Sequence, residues 1–114
     1  LVDSLGLGED TVVVFTSDNG PAHEPRFGGT DSAFFDSAEG RRGRKGSVYE
    51  GGLRVPLIAR WHEKIAAGTT SDLPTYFPDW LPTLLDLSGA AASIPPDVDG
   101  LSIAPTLLSR ADEQ

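Results

Sequence analysis

Two oxygen-bearing side chains, Asp18 and Asn19, stand together at the end of an apolar run, in "VVVFTSDNGP" from Val12 to Pro21. A carboxylate oxygen and an amide oxygen suit hard cations, Ca2+ or Mg2+, better than zinc. Neighbouring residues of a strand point to opposite faces, so both reach one ion only where the chain turns, and Gly20-Pro21 allows such a turn. A plain Asx turn at an Asn-Gly corner accounts for the same residues. A second chemical feature lies in "GRRGRKGSVYEGG", Gly40 to Gly52, where Arg41, Arg42, Arg44 and Lys45 are four of the nine basic residues of a chain with net charge −8. Closely spaced glycines let backbone approach a ligand, and a lysine ammonium is a compact charge for an anionic oxygen. Arg41 and Arg42 read as solvated charges on a turn. Lys45 is the candidate for chemistry, because the segment after Glu50-Gly51-Gly52 enters a strand. His23 is a further candidate, since an imidazole changes charge close to neutral pH and suits a substrate contact or a proton donor. An exposed loop histidine is its plainer reading.

Two strands must position these groups. Thr11 to Phe15 is a continuously apolar, β-branched run, the pattern of a strand buried on both faces in a helix-covered parallel sheet. "LRVPLIARW", Leu53 to Trp61, predicts a second strand with Pro56 at an edge or at the strand start. Roughly 37 Gly-rich residues without periodicity separate them, and ordered loops of that length are usually functional. Leu1 to Leu7 reads as the last turns of a helix stopped by Gly6 or Gly8. "DWLPTLLDLSG" predicts a helix capped by Asp79, with Pro82 in its first turn, a stripe of Leu81, Leu84, Leu85 and Leu87, and Gly89 as its end. Ile103 to Leu108 predicts one last short helix, and His62 reads as a surface residue. The order helix, strand, long loop, strand, helix predicts an α/β fold. Ligands of open α/β sheets bind beyond the carboxyl ends of the strands, where Asp18 and Asn19 sit.

The 114 residues, 39% hydrophobic and 23% charged, allow one small domain with a modest core. The acidic balance argues against broad binding to nucleic acid or to an anionic membrane surface. Zero cysteines exclude disulfides, thiolate metal sites and a cysteine nucleophile within this sequence. No apolar run approaches the roughly 18 residues of a membrane-crossing helix. "LVDSLGLGED" reads as the tail of a helix already under way, so a piece of a longer chain is the expectation.

"FTSDNGP", "GRKGSVYEGGLRVPLIARW", "DWLPTLLDLSG" and "DVDGLSIAPTLL", in this order and at this spacing, resemble the later part of the catalytic domain of the type I, formylglycine-dependent sulfatases, arylsulfatases among them. The resemblance implies an alkaline-phosphatase-like α/β fold, a central mixed sheet flanked by helices, with residues 1–114 as the C-terminal part of the catalytic domain. It implies that Asp18 and Asn19 ligate Ca2+ together with acidic residues from an N-terminal part. It implies that Lys45 contacts the substrate sulfate near the bridging oxygen. His23 stands one residue later than the histidine that often follows "DNGP" in relatives, because Ala22 intervenes. Glu50 and Arg54 match family positions and imply an ion pair supporting the loop of Lys45, and Asp99-Gly100 reads as a structural turn. The family's nucleophile comes from a Cys or Ser in a C/S-x-P-x-R motif, which this sequence lacks. Formylglycine is therefore expected in the N-terminal part, and this segment alone is expected to be inactive.

The activity implied for the intact protein is hydrolysis of sulfate esters, of a small molecule or a glycan, to an alcohol and inorganic sulfate. A phosphodiesterase or phosphatase of the same superfamily is one alternative, and a non-catalytic domain binding Ca2+ or an anionic glycan is another. By the same resemblance the location is periplasmic, secreted or lysosomal.

Overall fold

The computed structural model describes residues 1–23 and 31–109. Residues 24–30, inside the long loop expected between the strands, lie outside the described residues. Two strands, β1 (Val12–Thr16) and β2 (Leu57–Trp61), pair as a two-stranded sheet. Three short helices are α1 (Glu50–Leu53), α2 (Trp80–Leu87) and α3 (Ala104–Leu107). Among the described residues no helix is long and apolar enough to cross a membrane.

The stiff χ1 of successive valines favours the extended backbone of β1, and "SDNG" ends it. Pro56, which has no N–H for a ladder, stands directly before β2, where a strand tolerates it. Beyond the end of β1, the Gly20 N–H donates to the Gly52 carbonyl, ahead of β2, at 2.9 Å. At the other end, the indole N–H of Trp61 donates to the carbonyl of Glu9, ahead of β1. The two strands therefore run antiparallel. Both alternate half-buried and exposed residues, and Val13, Phe15 and Ile58 are 42%, 61% and 61% exposed. This corrects the expectation of a doubly buried strand in a parallel pairing. An apolar run forms a strand whichever face is covered, and an antiparallel pair can leave one face open.

The chain divides into two compact units, Leu1–Val13 with Ala59–Gln114, and Val14–Ile58. In the first, the expected helix tail is two 3-10 turns, Asp3–Leu5 and Gly8–Asp10. Gly6 separates them in the left-handed region at φ 70°, where glycine carries no Cβ penalty. Both carboxylate oxygens of Asp3 accept from the guanidinium of Arg60 at 2.8 Å. Helix α2 holds Pro82 in its first turn and ends at Gly89, φ 77°, where the Ala90 N–H donates back to the Leu85 carbonyl at 2.7 Å. Two details differ from the sequence reading. Asp79 does not cap α2 with its side chain. Its buried carboxylate instead accepts from the backbone N–H groups of Tyr76, at 3.0 Å, and Leu101, at 2.9 Å. The buried face of α2 is Pro82 and Thr83, while Leu81 and Leu84 remain about half exposed. Thr83 Oγ1 donates to the Asp79 carbonyl at 2.6 Å and accepts from the Ile103 N–H at 2.9 Å, so the start of α3 is fixed by hydrogen bonds. Ile103 and Ala104 form the apolar core beside it. The Tyr76 hydroxyl donates to the Asp99 carbonyl at 2.8 Å, and Gly100 packs on the Pro78 carbonyl with no room for a Cβ. Asp99 stands at a bend rather than a turn, with Gly100 buried beside it, and His62 is exposed.

The second unit holds α1 directly ahead of the predicted second strand, sharing only Leu53 with it. The single helical turn closes with the Arg54 N–H on the Glu50 carbonyl at 2.8 Å. Around it the backbone is built from turns rather than regular elements.

Candidate active-site half at the strand end

Strand β1 delivers Ser17-Asp18-Asn19-Gly20 to its carboxyl end. The Ser17 hydroxyl donates to the Asn19 carbonyl at 2.9 Å, and Asn19 Nδ2 donates to the Gly20 carbonyl at 3.0 Å. The turn is thus tied by a hydroxyl and an amide nitrogen. Asp18 is exposed and Asn19 half-buried. Among the described residues, neither the Asp18 carboxylate nor Asn19 Oδ1 has a hydrogen-bond partner. An Asx turn would consume one of those oxygens; among the described residues neither is used in this way.

The loop carrying Lys45 meets this strand end through backbone. The Lys45 N–H donates to the Pro21 carbonyl at 3.1 Å, and the Gly51 N–H donates to the Arg42 carbonyl at 2.8 Å. A Cβ built on Gly20 would overlap the Gly51 carbonyl, one on Gly51 the Gly43 carbonyl, and one on Gly52 the Ser47 carbonyl. Three segments therefore touch backbone to backbone, an approach that only glycine permits. Lys45 itself sits at the corner of a turn closed by the Ser47 N–H on the Arg44 carbonyl at 2.9 Å. Gly46 at φ 86° supplies the third residue of a type II turn. Lys45 is exposed and has no ion pair among the described residues. On α1, Arg54 donates to Glu50 at 3.4 Å across one helical turn, the ion pair expected there.

Two arginines read as solvated have partners. Arg41 reaches Glu39 Oε2 at 2.6 Å, and the Arg42 guanidinium lies 3.7 Å over the Tyr49 ring. His23 Nδ1 lies 3.3 Å from the Ser32 hydroxyl and 3.6 Å from Asp31 Oδ1, and among the described residues Nε2 has no hydrogen-bond partner. Asp31 Oδ1 also accepts from the N–H groups of Phe34 at 3.0 Å and Ala33 at 3.1 Å. The Phe34 hydrogen bond above all holds the Asp31 carboxyl below the usual carboxylate range; burial opposes it, while the Ala33 bond and the charges of His23 and Arg44 add to it. Sequence reasoning missed Asp31 and Ser32. The available signal was an aspartate placed to receive the N–H groups two and three residues ahead in "TDSAFF". Among the described residues, no three His, Asp or Glu side chains gather around a point that could hold a metal ion.

A family profile described as Sulfatase matches residues 1–90. The chain belongs to the sulfatase family. Sulfatase relatives include steryl-sulfatase of Mus musculus, 38% identical over 121 residues that span 99% of this chain and 18% of that protein. Arylsulfatase A of Homo sapiens is 41% identical over 109 residues, 94% of this chain and 20% of that protein. N-acetylgalactosamine-6-sulfatase of Rattus norvegicus is 37% identical over 110 residues, 95% and 20% respectively. The chain thus spans 18–20% of the length of these curated relatives. Two solved structures from the glycosaminoglycan metabolism of Bacteroides thetaiotaomicron align with TM-scores of 0.68 and 0.67, at 31% and 33% identity. The alignments cover 94% and 96% of this chain and 19% and 23% of theirs. The fold is the α/β, alkaline-phosphatase-like fold of the sulfatases, of which the paired strands and short helices form a part.

Proposed function

We propose that the whole protein hydrolyses sulfate esters to an alcohol and inorganic sulfate, and that this chain supplies the strand-end half of the active site. The supporting observation is the hydrogen bond from the Lys45 N–H to the Pro21 carbonyl, which brings the backbone of the Lys45 turn to the loop that follows Asp18 and Asn19. Those two residues offer one anionic and one neutral hard oxygen, both without a hydrogen-bond partner among the described residues, a donor set that fits Ca2+. Calcium takes roughly six to eight oxygen ligands, so further oxygens, from water or from outside the described residues, would complete its shell. When bound, the cation would neutralise charge on the sulfate, and a formylglycine outside this chain would supply the nucleophile.

Lys45 places an ammonium where charge develops as the sulfate ester breaks, at the bridging oxygen that leaves as an alkoxide. Its turn is fixed by glycine contacts, so little reorganisation is needed at the moment of reaction. His23, with Nδ1 engaged by Ser32 and Asp31, turns Nε2 to the substrate as a contact or a proton donor. The named relatives support a sulfated small molecule or glycan as the substrate class.

Expression of the whole protein with and without the formylglycine-generating enzyme tests this reading. Sulfate release from an aryl sulfate is expected only in its presence; equal release in both preparations counts against it.

A further inference from the structure

The four cations of residues 41–45 are not equivalent. Arg41 is committed to Glu39 at 2.6 Å and Arg42 to the face of Tyr49 at 3.7 Å. Arg44 and Lys45 have no ion pair among the described residues. Both line one open depression of about 640 Å³, with Ser32, Asp36 and Ser47 on its walls. Asp36, a carboxylate on that wall, accepts from the Gly40 N–H at 2.9 Å. Asp31 lies close enough to Arg44 to feel its charge, but its Oδ1 is taken by the Ala33 and Phe34 N–H groups. A volume of this size is in the range of pockets for molecules larger than one sulfate.

Arg44 is half-buried, and its backbone is held at both ends. Its N–H donates to Ser47 Oγ at 3.1 Å, and its carbonyl accepts from the Ser47 N–H at 2.9 Å. A guanidinium carried on a backbone held in this way is suited to bidentate recognition of carboxylate or sulfate oxygens, its planar fork being preorganised for such a pair. A wall with two cations that have no ion pair among the described residues also concentrates anions.

We infer that Arg44 forms an anion subsite beside Lys45, so that the preferred substrate carries a second anionic group, a carboxylate or another sulfate, close to the ester sulfate. The identity of the first anion rests on the sulfatase reading above; the subsite itself rests on the partition of the four cations.

The test compares three esters with the whole protein: a neutral disaccharide monosulfate, its counterpart bearing a carboxylate, and its counterpart bearing a second sulfate. The wild type is expected to favour one or both doubly anionic esters in kcat/KM by about tenfold or more, the worth of one charge-assisted hydrogen bond. Arg44→Gln should reduce that ratio to within about twofold of unity, and Arg44→Lys should restore part of it. The ester that shows the preference identifies the second anion. A wild-type ratio near unity, or a ratio unmoved by Arg44→Gln, overturns the inference. Calorimetric binding of the disaccharides that lack the ester sulfate, with and without the second anionic group, reads the same subsite without the scissile ester. If the protein hydrolyses none of the esters, the sulfatase reading fails while this binding comparison still decides the subsite: equal wild-type affinity for the two disaccharides overturns it.

Discussion

The Gly20 N–H donates to the Gly52 carbonyl at 2.9 Å, and a Cβ on Gly20 would stand 2.9 Å from the Gly52 Cα and closer still to the Gly51 carbonyl. This contact ties the loop of Asp18 and Asn19 to the segment that leads into β2, with no side chain taking part. The first prediction follows from it. Gly20→Ala forces apart backbone that has no rotamer by which to yield, and overpacking of this kind costs about 1–3 kcal/mol. Chemical denaturation of the whole protein should show the midpoint falling with the slope unchanged; an unshifted midpoint would mean the loop accommodates the methyl group.

Removing either unengaged oxygen should weaken cation binding. Asp18→Ala deletes a charge and Asn19→Ala a neutral donor, so the aspartate variant should lose more Ca2+ affinity. Calorimetric titration of the metal-free whole protein checks this, and unchanged affinity in both variants would remove these residues from the ligand set.

Lys45→Ala should lower kcat by about a hundredfold or more, the scale of removing one preorganised group that stabilises developing charge. Because Lys45 sits on a turn held by Ser47 and Gly46, thermal stability should hardly change. Normal turnover would show that the ammonium is only a solvated charge.

These cases show what was legible in the sequence. β1, α2 and α3 were readable because their signals are local: a β-branched run, Pro82 in a first turn, a glycine at a helix end. The turn α1 was not, since Glu50-Gly51-Gly52 has poor helix propensity and is shaped by a contact from the Gly51 N–H to the distant Arg42 carbonyl. Asp79 looked like a cap, but its carboxylate serves Tyr76 and Leu101, and a partner 22 residues away leaves no mark on a local pattern. At the site, residue types marked Asp18, Asn19 and Lys45 as candidates, and only the fold brings their loops together. The partners of His23 lie across a loop without periodicity, so no spacing rule pointed to Asp31 and Ser32.

The buried Asp79 carboxylate gives a stability prediction. Asp79→Ala strands the N–H groups of Tyr76 and Leu101, and losing such charge-assisted bonds in a buried setting costs about 2–4 kcal/mol. Asp79→Asn keeps one acceptor and should cost less. Hydrogen exchange at the Leu101 amide should accelerate in Asp79→Ala; unaltered protection there would mean that another group holds this N–H.

The Asp3–Arg60 pair gives a pH prediction. Hydrogen bonding from Arg60 holds the Asp3 carboxyl below its usual value, against a smaller opposing effect of burial. A carboxyl whose pKa is lowered by folding stabilises the chain above its unfolded pKa and loses that contribution as pH falls through the folded one. The pair should therefore matter at neutral pH and fade under acid conditions, below the ordinary aspartate range. Arg60→Gln should return the Asp3 titration toward the model-peptide value of 3.8, as followed by carboxyl carbon NMR. A titration that stays low would assign the effect to other groups.

The glycine contacts around Gly20, Gly43, Gly51 and Gly52 also separate scaffold from decoration. The backbone that aims Lys45 is closed to variation, whereas the side chains at 41, 42 and 44 are attached to it without helping to close it. A library that randomises those three positions and keeps the four glycines could retune what the loop recognises while the lysine stays in place. Evolvability here resides in residues that the frame carries, not in the frame.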